Sequence, residues 1–179
     1  MSAKEFLGNG IRYTIRSAII NDAQELSELR VQIDGETENL DREKGEDYLD
    51  PQAFEQVIVR DTEGKRNLFL VAEVDHRIVG FSRCQGNELK RFSHQAEFGV
   101  CVLKEFWGHG IGKKLLKETI SWSESADIKK LTLKVLETNE KAIQLYERNG
   151  FETEGVLKKD KILSDGKYYN TVLMARFKG

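Results

Sequence analysis

The sequence predicts an α+β fold, a mixed α/β sandwich with one mixed sheet and helices on both faces. Two observations predict it. Segments that alternate apolar and polar residues lie near both ends and in the middle of the chain, and segments with a helical apolar stripe separate them. The 179 residues contain no repeat and no glycine- or serine-rich linker, so residues 1–179 are predicted to form a single domain.

The first third of the chain is predicted as a strand followed by helices. Residues Ile11 to Ile19 alternate as a strand does. Asn21 or Asp22 is expected to cap the next helix, because short polar side chains accept hydrogen bonds from free helix N–H groups. The apolar stripe of that helix consists of Ala23, Leu26, Leu29 and Ile33. Residues 34–50 are polar and predicted to be irregular, and Pro51 suits the first turn of a short helix.

The middle of the chain is predicted to be β-structure. Asn67–Glu73 and Arg77–Gln85 are expected to form a hairpin joined by Asp75-His76, although this turn lacks the usual glycine. Gln95–Leu103 is the next predicted strand.

The second half alternates helix and strand. A helix is predicted from about Gly110 to Ala126 and a strand from Leu131 to Leu136. Thr138 or Asn139 is expected to cap a helix that ends at Asn149-Gly150. The last two strands, Phe151–Leu163 and Tyr168–Phe177, are predicted to close the domain as a hairpin.

Composition argues against several classes of protein. The net charge of −2 is not that of a general nucleic-acid binder. The three histidines show no metal-binding spacing, and the two cysteines, Cys84 and Cys101, form no CxxC, so no metal site is expected. No apolar run is long enough to span a membrane, and the N-terminus lacks a signal-peptide pattern, so a cytoplasmic protein is expected.

Charge is distributed unevenly along the chain. Residues 21–50 carry eleven acids and three bases, a balance of −8, whereas residues 104–179 carry fifteen bases and eleven acids, a balance of +4. One interpretation is a solvated helix and loop. The other is an acidic mouth that attracts a cationic substrate, with an anionic ligand held by the C-terminal half.

The most informative segment is a strand that runs into a glycine-rich turn and then a helix. Gly108, Gly110 and Gly112 free the backbone for positive φ and for close approach of a ligand. The first helix N–H groups are unpaired, and Lys113 and Lys114 add positive charge, which together favour a pyrophosphate. The dinucleotide pattern GxGxxG does not match, because Lys113 stands at the position of its last glycine. The Walker A pattern does not match either, because the glycines are one residue too close and no Ser or Thr stands at its final position.

Several segments together resemble the GNAT superfamily of acetyl-coenzyme A-dependent N-acetyltransferases. They are Tyr13–Arg16, Arg77–Gly80, Ala96–Val102, the glycine turn, Asn139–Tyr146, Asn149–Glu152, Glu154-Gly155, Asp165–Tyr168 and Met174-Ala175. The turn matches the glycines of [QR]xxGxG, but Trp107 stands where Gln or Arg is usual. The resemblance implies a GNAT-like central mixed, mostly antiparallel sheet whose middle strands splay apart.

The resemblance also implies how acetyl-coenzyme A, as co-substrate, is bound. The pantetheine arm would pair with the backbone of Val100 and Val102 as an extra strand. The pyrophosphate would meet the turn and helix start, which comprise Gly108, His109, Gly110, Ile111, Gly112 and Lys113. Asn139 would touch the coenzyme arm as well as cap its helix, and Tyr146 would lie near the sulfur.

Acetyl transfer to an amine needs a base and an acid. A lysine-like amine with a pKa of about 10.4 costs roughly 4 kcal/mol to deprotonate at neutral pH. Glu97 is the candidate base, and His94 is the next candidate. Tyr146 is the candidate acid that protonates the leaving thiolate. An acyl-enzyme through Cys101 is disfavoured, because no histidine is placed by the sequence to activate it.

The acceptor is less constrained than the donor. The resemblance implies a small cationic amine, an amino acid or a protein N-terminus as partner, and the acidic stretch favours a cation. Nucleic acid and membrane are not expected as partners. Members of the family that the chain resembles are often dimers, so the resemblance implies a possible homodimer. A non-catalytic acyl-coenzyme A sensor and a protein-interaction domain remain alternatives.

Overall fold

The computed structural model describes residues 2–179, which form one eight-stranded sheet and four α-helices. The strands are β1 (Lys4–Gly8), β2 (Ile11–Ser17), β3 (Leu68–Val74), β4 (Arg77–Gly86), β5 (Gln95–Val102), β6 (Lys130–Leu136), β7 (Glu152–Ile162) and β8 (Tyr168–Phe177). The helices are α1 (Ala23–Glu36), α2 (Pro51–Glu63), α3 (Ile111–Ser125) and α4 (Glu140–Glu147). The sheet order is β1-β2-β3-β4-β5-β6-β8-β7, and only the β5–β6 pair is parallel.

The two central strands separate soon after they meet. Their pairing runs only from Gln95 opposite Lys130 to Glu97 opposite Thr132. Beyond that point β5 stays paired with β4, and β6 stays paired with β8. The splay that the resemblance implies is therefore confirmed, and it opens a cleft bordered by the far half of β5.

The helices cover both faces of the sheet. Directly opposite residues of neighbouring strands share a face, so Phe69, Arg83 and Gly99 lie on the same side. Arg83 bonds Asp61 of α2, which identifies this side as the one that α1 and α2 cover; we call it the α2 face. Helix α3 packs against β3, β4 and β5 from the opposite side.

Strand β1 is an element that the alternation pattern does not predict. It is only five residues long, and the turn Asn9-Gly10 joins it to β2 with φ angles of 45° and 81°. Two positive φ angles are typical of a type I′ hairpin turn, for which Asn-Gly is the preferred pair. The signal was therefore present in the turn rather than in the strand.

Two details of the first helices differ from expectation. The carboxylate of Asp22 makes no cap hydrogen bond to α1; it accepts from the N–H of Ile19 at 2.8 Å and pairs with Arg16 at 2.8 Å. Helix α2 is not short, because it continues from Pro51 for 13 residues after the Asp50 carboxylate caps it through the N–H of Ala53. Within residues 2–179, no helix combines the length and the apolar character needed to cross a membrane.

The other predicted elements are confirmed within one or two residues. The β3–β4 turn forms without glycine, since Asp75 and His76 adopt φ angles of 48° and 64°. Gly150 takes a φ of 83° just after α4, as the predicted helix end requires.

Candidate active site

The glycine turn presents free backbone N–H groups to an open space. Gly108 and Gly110 adopt φ angles of 83° and 79°, a conformation that side chains disfavour. Helix α3 begins at Ile111 without a side-chain cap, so its first N–H groups have no intrahelical partner. An added Cβ at Gly108 or Gly112 would meet no atom within 4 Å. The turn therefore has room and donors for an anion, which the helix dipole also favours.

The N-terminal hairpin holds this turn in place. A Cβ at Gly8 would lie 1.9 Å from the carbonyl oxygen of His109, so only glycine allows the contact. The side-chain amide of Asn9 donates to the carbonyl of Gly108. Nδ1 of the His109 ring lies 3.4 Å from the carbonyl oxygen of Gly8. Strand β1 thus serves the site, although neither Gly8 nor Asn9 was predicted to belong to it.

A basic groove of about 440 Å³ continues from the turn between α3 and α4. Its cations are Lys113, Lys117, Lys141 and Arg148. Lys114, which was also expected to add charge here, is not among them. Its ammonium lies 4.8 Å from the centroid of the Phe6 ring. Of these four cations, Lys113 was named from the sequence, but Lys117, Lys141 and Arg148 were missed. The available signal for these three was their helical repeat, four residues apart on α3 and seven on α4. Such a groove suits the phosphates of a nucleotide.

The splayed part of β5 has a free edge. The N–H of Leu103 donates to Val79 at 2.8 Å on the β4 side, so the backbone groups of Val100 and Val102 face the cleft by alternation. The indole N–H of Trp107 donates to the carbonyl of Val102 at 2.8 Å. Trp107 therefore occupies one of the acceptors on this edge, while the amides of Val100 and Val102 still face the cleft.

Asn139 and Tyr146 stand at opposite ends of α4. The side-chain oxygen of Asn139 accepts from the N–H of Ala142 at 3.4 Å, which confirms the predicted cap. Tyr146 is 8% exposed and packs on Phe151 with 5.8 Å between ring centroids. Burial raises the pKa of Tyr146 to about 12, so the phenol stays protonated at neutral pH.

Glu97 lies where the strands separate, because it belongs to the last β5–β6 pair. It points to the α2 face, its side chain is 56% exposed, and Lys134 is 3.9 Å away. His94 is exposed, and its carbonyl accepts from the N–H groups of Lys129 and Lys130 at 2.9 and 3.0 Å. The backbone of His94 thus fixes the start of β5 to the start of β6.

Cys101 lies on the α2 face, one position beyond Val100 on β5. Its side chain is half-buried, and burial raises the pKa of its thiol to about 12. A thiol of this kind is a poor nucleophile at neutral pH, because the thiolate is the reactive form.

Most carboxylates of the acidic stretch, residues 21–50, contact other groups of the fold. Ten of its eleven carboxylates accept a hydrogen bond or form an ion pair: Asp22, Glu25, Glu28, Asp34, Glu36, Glu38, Asp41, Glu46, Asp47 and Asp50. Two of these contacts, Asp41 with Lys161 and Glu38 with the N–H of Ser164, fasten the loop to the β7–β8 hairpin. The preference for a cationic acceptor stays a prediction, and ten of the carboxylates on which it is based already have hydrogen-bond or ion-pair partners in the fold.

Comparisons with known proteins agree with this geometry. The model of the acetyltransferase (GNAT) family matches residues 32–151. The L-amino acid N-acetyltransferase AaaT of Escherichia coli K12 is 34% identical over 110 residues, which cover 61% of this chain and 67% of AaaT. Escherichia coli K12 spermidine N(1)-acetyltransferase is 31% identical over 50% of this chain and 48% of its own length. The [ribosomal protein bS18]-alanine N-acetyltransferase of Haemophilus influenzae is 30% identical over 72% of this chain and 83% of its own length.

Solved structures share the whole architecture. A GNAT-family acetyltransferase from Streptococcus pneumoniae superposes with a TM-score of 0.89 at 26% identity, over 93% of this chain and 99% of that one. The yncA protein of Salmonella typhimurium, solved with acetyl-CoA, superposes at 0.80 with 19% identity, over 92% and 93%. The glycine turn, the splayed strands, the family match and the shared architecture point the same way, and the chain belongs to the GNAT family as an N-acetyltransferase.

Proposed function

We propose that the enzyme transfers the acetyl group of acetyl-coenzyme A directly to a primary amine in a ternary complex. The acceptor is a small cationic amine, an amino acid or a protein N-terminus. The splay of β5 from β6 carries the proposal, because it leaves the backbone of Val100 and the N–H of Val102 free beside the glycine turn. The acceptors named for the three relatives support an amine, and the coenzyme bound by the Salmonella protein supports the donor.

The coenzyme would be bound mainly by backbone groups. Its pantetheine arm would pair with the free edge of β5 as an added strand. Its pyrophosphate would accept from the N–H groups of the segment Gly108–Lys113, next to the positive end of the α3 dipole. The groove with Lys113, Lys117, Lys141 and Arg148 would hold its remaining phosphate, and Asn139 would reach the arm from the start of α4.

The amine must lose a proton before it attacks the thioester. Glu97 takes this proton directly or through a water molecule, and the side chain is exposed enough to pass it to solvent. The neutral nitrogen then forms the C–N bond, the C–S bond breaks, and the nitrogen releases its second proton to the same route. The proton of the Tyr146 hydroxyl goes to the departing sulfur, and solvent restores it. Overall, the ammonium loses two protons, the thiolate gains one, and one proton enters solvent.

The first experiment is a calorimetric titration with acetyl-coenzyme A, followed by a panel of amines with thiol release as the readout. Binding followed by release with one class of amine is the expected result. Binding without release from any amine would mean a coenzyme sensor instead of an enzyme. Absence of binding would remove the basis of the proposal, since the free edge and the glycine turn would then serve another purpose.

The base assignment has its own test. Glu97→Gln is expected to lower kcat/KM about 100-fold near pH 7, and the deficit is expected to shrink as the amine loses its proton in solution at higher pH. Glu105→Gln is a matched control, because the Glu105 side chain is equally exposed at 55% and also pairs with a cation. An unchanged rate and pH profile in Glu97→Gln would place the base elsewhere, with His94 next.

A further inference from the structure

The α2 face carries an arginine that is bonded through only one of its nitrogens. Arg83 on β4 donates from Nε to Asp61 at 2.6 Å, and its guanidinium stacks over Phe69 at 5.6 Å from the ring centroid. Nη2 is buried and has no hydrogen-bond partner among residues 2–179. A buried donor without a partner costs about 1–3 kcal/mol, so its presence needs an explanation.

Two other arginines of the chain hold both oxygens of a carboxylate. Arg16 holds both oxygens of Asp22 at 2.8 Å through its two terminal nitrogens. Arg42 holds both oxygens of Asp34 at 3.0 and 3.4 Å. Arg83 instead meets Asp61 through Nε alone, and the other oxygen of this completely buried carboxylate lies 3.5 Å from Arg60. The fork between Nη1 and Nη2, the part suited to a second carboxylate, is left over.

The position of Arg83 places this fork beside the cleft. Arg83 is directly opposite Gly99, at the part of β5 that has left β6. Gly99 is exposed, and an added Cβ there would meet no atom within 4 Å, so the sheet surface next to Arg83 is open. The Arg83 side chain keeps 24% of its surface exposed, although Nη2 itself is enclosed.

Glu97 stands on the other side of the same opening. It is two residues from Gly99 on the same strand and face, which makes it the diagonal neighbour of Arg83 at about 7–8 Å between Cα atoms. A carboxylate that can take a proton from an amine and a guanidinium that can hold a carboxylate therefore flank one gap. An α-amino acid carries its amine and its carboxylate on one carbon, so it can engage both at once.

Resting on the proposed function, we propose that Arg83 binds the carboxylate of the acceptor and that the acceptor is a free α-amino acid. Asp61 holds Arg83 through Nε, and a small adjustment around the ligand brings Nη2 into the bond. A polyamine has no anion for this site, and a protein N-terminus offers an amide in place of the carboxylate. Ten carboxylates of residues 21–50 are already held by hydrogen bonds or ion pairs within the fold, so none of them has the unpartnered geometry that Nη2 of Arg83 has.

The test compares acceptors that differ only at the carboxylate. The wild-type enzyme is assayed with saturating acetyl-coenzyme A against L-amino acids, their carboxamides and the corresponding amines without the carboxyl group, with spermidine and an alanine-initiated peptide as the other classes. The expected kcat/KM for the preferred amino acid exceeds that of its carboxamide about 10- to 100-fold, the range of a charged hydrogen bond.

The variant Arg83→Lys retains a cation for Asp61 and removes the fork. We expect it to lose most of the preference for acid over carboxamide and to leave the Kd of acetyl-coenzyme A unchanged. Arg60→Lys is the matched control, because Arg60 also lies within 3.5 Å of Asp61 but is 57% exposed. Its acid-to-carboxamide ratio should equal that of wild type.

The two proposals fail in different ways. Thiol release with equal rates for acid and carboxamide, or a preference for spermidine or the peptide, overturns the role of Arg83 and leaves the transferase intact. Absence of thiol release with every acceptor overturns both. If Arg83→Lys does not fold, the comparison of acid and carboxamide in the wild-type enzyme still decides.

Discussion

The two regions that the proposed function assigns to the coenzyme and to the acceptor, here the coenzyme half and the acceptor half, are built from different kinds of group. In the coenzyme half, the β5 edge and the glycine turn present backbone N–H and C=O groups, and the groove between α3 and α4 adds four cations on helical repeats. The acceptor half, formed by α1, α2, residues 37–50 and the α2 face, presents side chains that are paired across long distances in sequence. Backbone sites depend on local conformation, whereas side-chain sites depend on which distant segments the fold brings together.

The largest expected effect concerns the hydroxyl of Tyr146. Tyr146→Phe removes one oxygen atom from a buried ring and should leave packing on Phe151 intact. We expect kcat to fall between 10²- and 10⁴-fold, the usual contribution of a general acid, with an unchanged Kd for acetyl-coenzyme A. Steady-state kinetics and calorimetry measure the two quantities. Full turnover of the variant across pH would show that the thiolate leaves without this proton.

The same tyrosine should make stability depend on pH in a defined window. Burial raises the pKa of Tyr146 from 10.0 in the unfolded chain to about 12 in the folded protein. Below pH 10 both states are neutral and the full stability is present; between pH 10 and 12 the unfolded chain ionises first, so stability falls. The loss is about 2–3 kcal/mol. Denaturant unfolding at pH 9 and pH 12 should show this loss in wild type relative to Tyr146→Phe, which lacks it.

How much the sequence reveals differs between the two halves. The turn at Gly108 and Gly110 and the cap at Asn139 could be predicted from the sequence, because glycine favours positive φ and asparagine favours helix N-termini. The site contacts of Gly8 and Asn9 could not be predicted, since they depend on β1 folding across a turn a hundred residues away. The pair of Arg83 and Asp61 is hidden for the same reason, because it joins a strand to a helix that the sequence connects only distantly.

For residues 21–50, composition gives the net charge but not the groups that each carboxylate contacts. The balance of −8 favours a cationic partner, and this preference stays a prediction. Most of the carboxylates cap turns, accept from backbone N–H groups or pair with arginines inside the fold. Spacing along the chain gave no sign of this, because the partners include Ile78, Lys104 and Lys161.

A smaller effect is expected in the coenzyme half from a single methyl group. Gly112→Ala adds a Cβ that no protein atom contacts within 4 Å, at a helix position where alanine is preferred. Stability should therefore rise by up to about 1 kcal/mol, while the Kd of acetyl-coenzyme A rises about 10-fold because the methyl group enters the ligand's space. Gly155→Ala, whose Cβ makes only an ordinary 4.0 Å contact with Leu173, is the control. An unchanged Kd in Gly112→Ala would move the pyrophosphate away from this turn.

The smallest expected effect is at Cys101, and it separates direct transfer from an acyl-enzyme. The thiol lies on the α2 face near Gly99, but its pKa of about 12 leaves a negligible thiolate fraction at pH 7. Cys101→Ala should therefore change kcat less than about threefold, because removing the sulfur only slightly alters the packing around this position of β5. Mass spectrometry of wild type mixed with acetyl-coenzyme A alone should find no acetylated protein at this residue. A rate loss of 100-fold together with an acetyl adduct would replace the ternary complex by a two-step route, and the proton assigned to Glu97 would then belong to the second step.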